Sequence, residues 1–554
     1  MTEAVAAPPQ HTALGRLLDV IERAGNKVPH PVMMFLYLII GVIVLSAVLG
    51  FAGVSVTDEI AVPNQVQVDP NYYEDSTQPT LPAGDPNYTG DYTIKQVTIP
   101  IKSLLSVEGI RFIFTSFVPN FAGFGVVAVT FVALMGAGVA EGSGLMGALI
   151  RLLVAASPRK ILALVLIFVG VLSSIATDAG YLILVPLGAA AFASVGRHPL
   201  AGMAACFAGV GAIFGVNPIP GPIDAQITAI TNEALASAGG TPLTILANYW
   251  FSFASSIVLA VVAYLVTERV IEPRLGVWQP ESVGGPDGIS IEDEADSVDD
   301  SAREKRGLRY ALLFFAVWIG FVLLITLPPG APLRDPVTGD IIGLTPFMDS
   351  LLFIIAMTFL ISGIGYGIGA GTFKSSTDVI NAVVKTFSGL AGLVFMLLMI
   401  SQFIAYFNYS NLPSVLSVVL AEALKSAGIG ALPLLIGMIF VILVLDIIMP
   451  GLIPKWAIFA PIFVPLFIQL GVPAQTGLAA YRVGDSPINV VTPLMVYLPF
   501  MVTIAQRYVK DAGIGTVIAL MLPYTVIIAV AWTLLFVLWF VLGLPLGPGY
   551  PVKL

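Results

Sequence analysis

The chain has 554 residues, 57% of them hydrophobic and 11% charged, with a net charge of −9 and a mean hydropathy of +0.93. These figures exclude an ordinary soluble domain, in which about a quarter of residues are charged, and the acidic balance argues against nucleic acid as a partner. Cys206 is the single cysteine, and His11, His30 and His198 lie far apart. Neither an intrachain disulfide nor an HExxH metal site is available.

Apolar runs of about twenty residues, each long enough to cross a bilayer, recur along the chain. They are continuous rather than alternating, which predicts helices and not a barrel. The first thirty residues are polar, unlike a cleavable signal peptide, so the first run, 31–53, is expected to stay in the membrane as a scaffold helix. Arg16, Arg23 and Lys27 precede it and place the N-terminus (1–30) in the cytoplasm. The loop 54–107 holds seven acids against Lys95 and Lys102 and is expected outside. A second span, 121–140, returns to Arg151, Arg159 and Lys160.

Residues 161–195 are too long for one span, are interrupted by SSIATDAGY (173–181), and end at another basic pair, Arg197-His198. A hairpin that dips in and returns, with its tip near Ser173-Ser174, meets both conditions. The stretch 201–235 is broken by GVNPIPGPID (215–224), where Pro218, Pro220 and Pro222 rule out a continuous helix. A helix at 245–268 leads to 279–306, an acidic segment with nine acids and three bases, expected to be a cytoplasmic disordered tether. Scaffold spans follow at 308–328 and 348–369.

The second half repeats this grammar. A span at 388–407 precedes FNYSN (407–411) and a polar stretch to Gly430. A second hairpin, 432–470, turns at PGLIPKW (450–456). The second broken helix, 475–505, is interrupted by YRVGDSPINVVTP (481–493), and a last helix spans 513–541. The predicted fold class is an all-α polytopic membrane protein of about nine transmembrane helices plus two re-entrant hairpins. Repeat 1 (121–268) and repeat 2 (388–541) would be inverted.

Helix breaks inside lipid survive only against protein or a wet cavity. Their bared carbonyls suit a cation, and their helix N-termini suit anionic groups. Ser173, Ser174 and Asn217 at the first tip and break are therefore candidate substrate contacts. Asp178 and Asp485 sit at corresponding depth and are candidate ion-coupling residues with Asn217 and Asn489. Ser173, Asn217, Asn489 and Asp485 form a candidate sodium set. For Asp485 the alternative is a structural ion pair with Arg482 or Lys455; Asp446 lies near a hairpin apex, and Asp349 at a span end reads as surface. Trp456 could stack an aromatic substrate or fill space between helices. The abundant Met and Phe residues are assigned to packing.

The blocks IERAGNKVPHP (21–31), SSIATDAGYLILVPLGAAAFASVGRHPLAG (173–202), KWAIFAPIFVP (455–465) and AAYRVGDS (479–486) resemble the AbgT family of p-aminobenzoyl-glutamate transporters. The likeness extends over nearly the whole chain outside the external loop and the acidic segment. It implies an elevator-type inner-membrane transporter, usually a homodimer, that imports p-aminobenzoyl-glutamate or exports sulfonamides, coupled to a sodium or proton gradient, with no other cofactor. Among the family's functional positions, the hairpin aspartate falls on Asp178 and the tryptophan on Trp456. The arginine and aspartate of the second break fall on Arg482 and Asp485, and a later proline on Pro493. The chain departs from the family pattern at Ser174, Ile453, Pro454, Ala474, Pro487 and Tyr409, which removes polar groups at the tips.

Another small dicarboxylate or organic anion would suit the same machinery. An intramembrane aspartyl protease would need GxGD, but the second break reads Arg482-Val483-Gly484-Asp485, and an adjacent arginine holds an aspartate ionised. A passive channel needs a continuous polar pore, whereas paired breaks suit alternating access. The expectation is thus a transporter and not an enzyme.

Overall fold

The computed structural model describes residues 31–63, 92–155, 157–158, 161–174, 180–278, 298–342, 345–428, 430–447, 449, 451–492 and 494–553. Among these, eight helices are long and apolar enough to cross a membrane. The chain is a polytopic helical protein.

Helix α1 (Pro31–Phe51) is followed by two antiparallel strands, β1 (Ser55–Pro63) and β2 (Tyr92–Pro100), in register Ser55↔Pro100 to Pro63↔Tyr92. This corrects the all-α expectation for the external loop. The strands are rich in Val, Ile and Thr, residues that favour a pleated backbone. Helix α2 (Val107–Ala122) starts under a Ser106 cap that accepts a hydrogen bond from the Gly109 N–H. It runs into α3 (Gly125–Ser143) as one apolar stretch of 37 residues, 107–143. The apolar helical stretch therefore begins well before residue 121, with Arg111 and Asn120 inside α2.

After α4 (Leu145–Ala155), α5 (Leu162–Ser173) ends at the expected first tip, and the chain resumes as a π-helical turn, Gly180–Leu184, leading into α6 (Val185–Ser194). Both α5 and α6 pack on α7 (Pro199–Phe207), which continues as a π-helical segment, Ala208–Ala212. Residues 213–221 are not helical, and α8 (Pro222–Ser237) restarts with Pro222 in its first turn, where a missing N–H costs nothing. Helix α9 (Tyr249–Val266) closes the first half.

Helix α10 (Val298–Leu324) takes in residues 298–306 of the expected acidic tether; 279–297 lie outside the described residues. Helix α11 (Pro346–Ala370) packs on α10 and on α3. Two further helices lie outside the expected spans and hairpins. Helix α12 (Ser376–Gly389) is amphipathic and capped by Ser375 and Asp378. Helix α14 (Leu412–Ser426), which follows α13 (Ala391–Tyr409), buries Leu412, Val415, Val418 and Ala421 at helical spacing. The second half ends with α15 (Ala431–Asp446), α16 (Leu452–Gln469), α17 (Ala474–Asp485), a non-helical stretch after Asp485, α18 (Leu498–Tyr508) and α19 (Ile514–Leu542).

Candidate functional site

The two helix breaks meet. At the first, Gly215 donates its N–H to Ser486 Oγ (2.8 Å) and its carbonyl accepts from Arg482 Nη1 (2.9 Å), so both polar groups of this residue are satisfied by the second break. Arg482 Nη1 also donates to Asp224 Oδ1 at 2.6 Å, and Asp224 Oδ2 accepts from the Gly221 N–H at the start of α8. A side chain at 215 would not fit: its Cβ would stand 2.5 Å from Ser486 Oγ.

The first tip is tied to its break by Asn217. Its Nδ2 donates to the Val171 carbonyl (2.8 Å) and to Ser174 Oγ (2.9 Å), and its Oδ1 accepts from the Ile219 N–H. Asn217 thus caps carbonyls that α5 leaves open at its end and closes a turn in the break. Ser173 Oγ donates back to the Gly170 carbonyl.

The second tip carries charge. Lys455 Nζ pairs with Asp485 Oδ1 at 2.7 Å and with Asp446 Oδ1, all three side chains being 0% exposed. Tyr481 donates its hydroxyl to the Leu452 carbonyl (2.6 Å), and its ring lies 4.5 Å from that of Trp456. Trp456 is fully buried and donates its indole N–H to Thr231 Oγ1 of α8 (2.9 Å).

Both tips and both breaks border one cavity of about 950 Å³. Ser174 comes from the first tip, Pro222 and Gln226 from α8, Gly451 to Ile453 from the second tip, and Asn489 from the second break. The opposite wall is built by α3 and α12, which contribute Glu141 and Lys385. Tyr181 and Tyr497, one from each half, stack at 4.3 Å on its border. The volume falls within the range of small-molecule sites, roughly 300–1,000 Å³.

The sequence profile of the AbgT putative transporter family matches residues 16–554. The p-aminobenzoyl-glutamate transport protein of Escherichia coli (strain K12) is 32% identical over 545 residues, 98% of each chain. This chain belongs to the AbgT family. Two solved structures agree with that. The Alcanivorax borkumensis YdaH transporter has a TM-score of 0.81 at 34% identity, covering 94% of this chain and 100% of its own. Neisseria gonorrhoeae MtrF, described as an antimetabolite efflux pump, has 0.83 at 35%, covering 97% and 100%. AbgT relatives are transporters or efflux pumps and not enzymes, which removes the protease reading.

Within this AbgT chain, Ser174 and Asn489 border the cavity as candidate substrate and ion residues, whereas Trp456, Arg482 and Asp485 lie behind its wall. Trp456 therefore packs between helices in this structure, and Arg482 is committed to Asp224. Asp485, of the candidate sodium set, has its Oδ1 paired with the Lys455 ammonium. Asn217 Oδ1 is taken by Ile219, and Ser173 is committed to the end of α5. Asp178 and Pro493 lie outside the described residues. Sequence reasoning missed Asp224, Thr231, Tyr497 and Lys385. Asp224 carried a signal, a carboxylate two residues past a proline-broken span.

Proposed function

We propose that this protein is a secondary active transporter of the inner membrane, with its N-terminus in the cytoplasm. It moves p-aminobenzoyl-glutamate or a related aromatic carboxylate or sulfonamide, coupled to a sodium or proton gradient. The observation that carries this reading is the single cavity onto which both tips and both breaks open, facing α3 and α12. Tips at 173–174 and 450–456 are re-entrant in this reading, and the protein works as a homodimer. The core of α5–α8 and α15–α18 slides as an elevator against the scaffold helices.

The lining suits such a solute. The Lys385 ammonium faces a carboxylate, and the stacked Tyr181 and Tyr497 offer aromatic surface. Ile453, where the family pattern has a hydroxyl, extends the apolar part of the wall. Trp456 holds the second tip to α8 through Thr231 and acts on the solute through Tyr481 and Leu452.

Purified protein in liposomes tests this directly. Uptake of radiolabelled p-aminobenzoyl-glutamate, competed by sulfonamides, is expected to rise under an imposed sodium or proton gradient. Uptake that ignores both gradients defeats the coupling claim. For the elevator, cysteines at Ile453 and Thr386 in a Cys206→Ser background are expected to change cross-linking yield when solute is added; an unchanged yield defeats it.

A further inference from the structure

Asp446 ends α15, Lys455 lies in the first turn of α16, and Asp485 ends α17, so three chain segments converge on one ammonium. Lys455 meets one oxygen of each carboxylate. The second oxygen of each, Asp446 Oδ2 and Asp485 Oδ2, is buried with no hydrogen-bond partner. Tyr481 lies 3.3 Å from Asp485 Oδ1 but brings no charge, and its proton goes to the Leu452 carbonyl.

Two carboxylates and one ammonium leave the cluster at a net charge of −1, with every member fully buried. An uncompensated buried charge is strongly unfavourable, and two carboxylates sharing a site are the arrangement in which one of them holds a proton. Among the described residues, the surrounding elements supply no second cation. Arg482 of α17 is bound to Asp224 of α8 and to the Gly215 carbonyl. Glu233 of α8 accepts from the Gly125 N–H, Tyr524 of α19 is bound to Thr267, Tyr406 of α13 points at the Ile113 carbonyl, and Glu422 of α14 is exposed. The 950 Å³ cavity is not bordered by any member of the triad, and a metal ion would have to displace the ammonium. A proton needs no volume, and it converts an orphaned acceptor oxygen into a donor.

We propose that Asp446, Lys455 and Asp485 form a binding site for one proton, and that this proton is the coupling ion. The step balances simply: a proton from water forms an O–H bond at Asp446 Oδ2 or Asp485 Oδ2, the cluster becomes neutral, and release returns the proton to water. The coupling half rests on the transport reading above. Its route to the cavity is short, since Leu452, whose carbonyl holds Tyr481, lines the wall.

The full chain in liposomes decides this by infrared difference spectroscopy between acid and alkaline pH. The parent is expected to show one protonated carboxyl band that vanishes on alkalinisation. Asp446→Asn and Asp485→Asn each leave Lys455 with one carboxylate, a balanced pair that favours folding, and each is expected to lose the band. A parent without the band, or a band undiminished in both variants, overturns the site. In the same vesicles an imposed proton gradient is expected to stimulate p-aminobenzoyl-glutamate uptake by the parent, with loss of that stimulation in both variants. Stimulation by sodium alone overturns the coupling half. A parent that does not move this solute defeats the substrate reading instead, and the infrared band still decides the site.

Discussion

The two tips share one grammar, and their described residues are held by different chemistry. Among the described residues, the first is held by neutral groups, with Asn217 bridging the end of α5 to its break through an amide. The second is held by a buried triad of Asp446, Lys455 and Asp485. The breaks are joined to each other by Arg482, Asp224 and Gly215. A repeat therefore constrains where helices stop without dictating how the bared groups are satisfied. Contacts made by an amide, as at Asn217, do not change with pH, whereas a buried charged cluster links its position to proton uptake.

The sharpest way to break this contrast is to remove one charge from the second tip. Lys455→Met leaves two carboxylates in a dry site, and losing one partner of a buried ion pair costs about 3–5 kcal/mol. It is expected to lower the melting temperature in detergent more than any change at the first tip. A variant that melts like the parent would mean that the triad is hydrated and the contrast false.

Arg482→Leu comes next. It strands the Asp224 carboxylate and deprives the Gly215 carbonyl of its donor, again about 3–5 kcal/mol, softened here because the Asp224 side chain is 12% exposed and keeps the Gly221 N–H. Combined with Asp224→Leu, the loss is expected to be smaller than the sum of the two single losses, as a double-mutant cycle on thermal melting would measure. Strict additivity would show that the pair does not couple the breaks.

The neutral counterpart is Asn217→Ala. It removes two donors and one acceptor at a buried site, an expected loss of about 1–3 kcal/mol. Gly215→Ala should cost a similar amount, about 1–3 kcal/mol, from crowding against Ser486 Oγ, and Ser486→Ala in the same chain is expected to recover part of it. If Asn217→Ala destabilises as much as Lys455→Met, the two tips do not differ in the way their chemistry implies.

How much of this was legible in the sequence follows from the kind of signal each part leaves. Pro218, Pro220 and Pro222 announce the first break, because three residues without an N–H so close together leave no continuous helix, whereas Pro119, Pro461, Pro465 and Pro523 stay inside helices. The stop at Ser173 is legible in the length of 161–195 and its polar interruption, and the turn at Gly451 in PGLIPKW. Partners were harder. Asp485 had both Arg482 and Lys455 within reach, and only packing of α16 against α17 selects the lysine. Asp224 lies 258 residues from Arg482, beyond any local pattern. Trp456 sits on a helix that is apolar nearly all round, so nothing in its spacing says which way the ring points. Helices α12 and α14 escaped because a search for spans rewards uniform hydrophobicity and passes over amphipathic turns. Strands β1 and β2 are separated by residues 64–91, and alternation alone does not pair two distant segments.

The smallest expected effect lies on the scaffold side of the comparison, at the start of α12. There Ser375 and Asp378 form a reciprocal cap: Asp378 Oδ2 accepts from the N–H groups of Lys374 and Ser375, and Ser375 Oγ accepts from the Asp378 N–H. Ser375→Ala is expected to cost about 1 kcal/mol. The two backbone donors, Lys374 first, hold the Asp378 carboxyl below the usual carboxylate range. A group whose folded value is depressed contributes stability above its unfolded value, and that contribution fades as pH falls through the folded value. Hydrogen exchange in the first turn of α12 should therefore quicken on acidification below about pH 4 in the parent. In Asp378→Asn it should already be fast at neutral pH and respond little to acid. An acid response that survives in Asp378→Asn would assign it to another group, and the capped helix that carries Lys385 to the cavity would owe its order to packing alone.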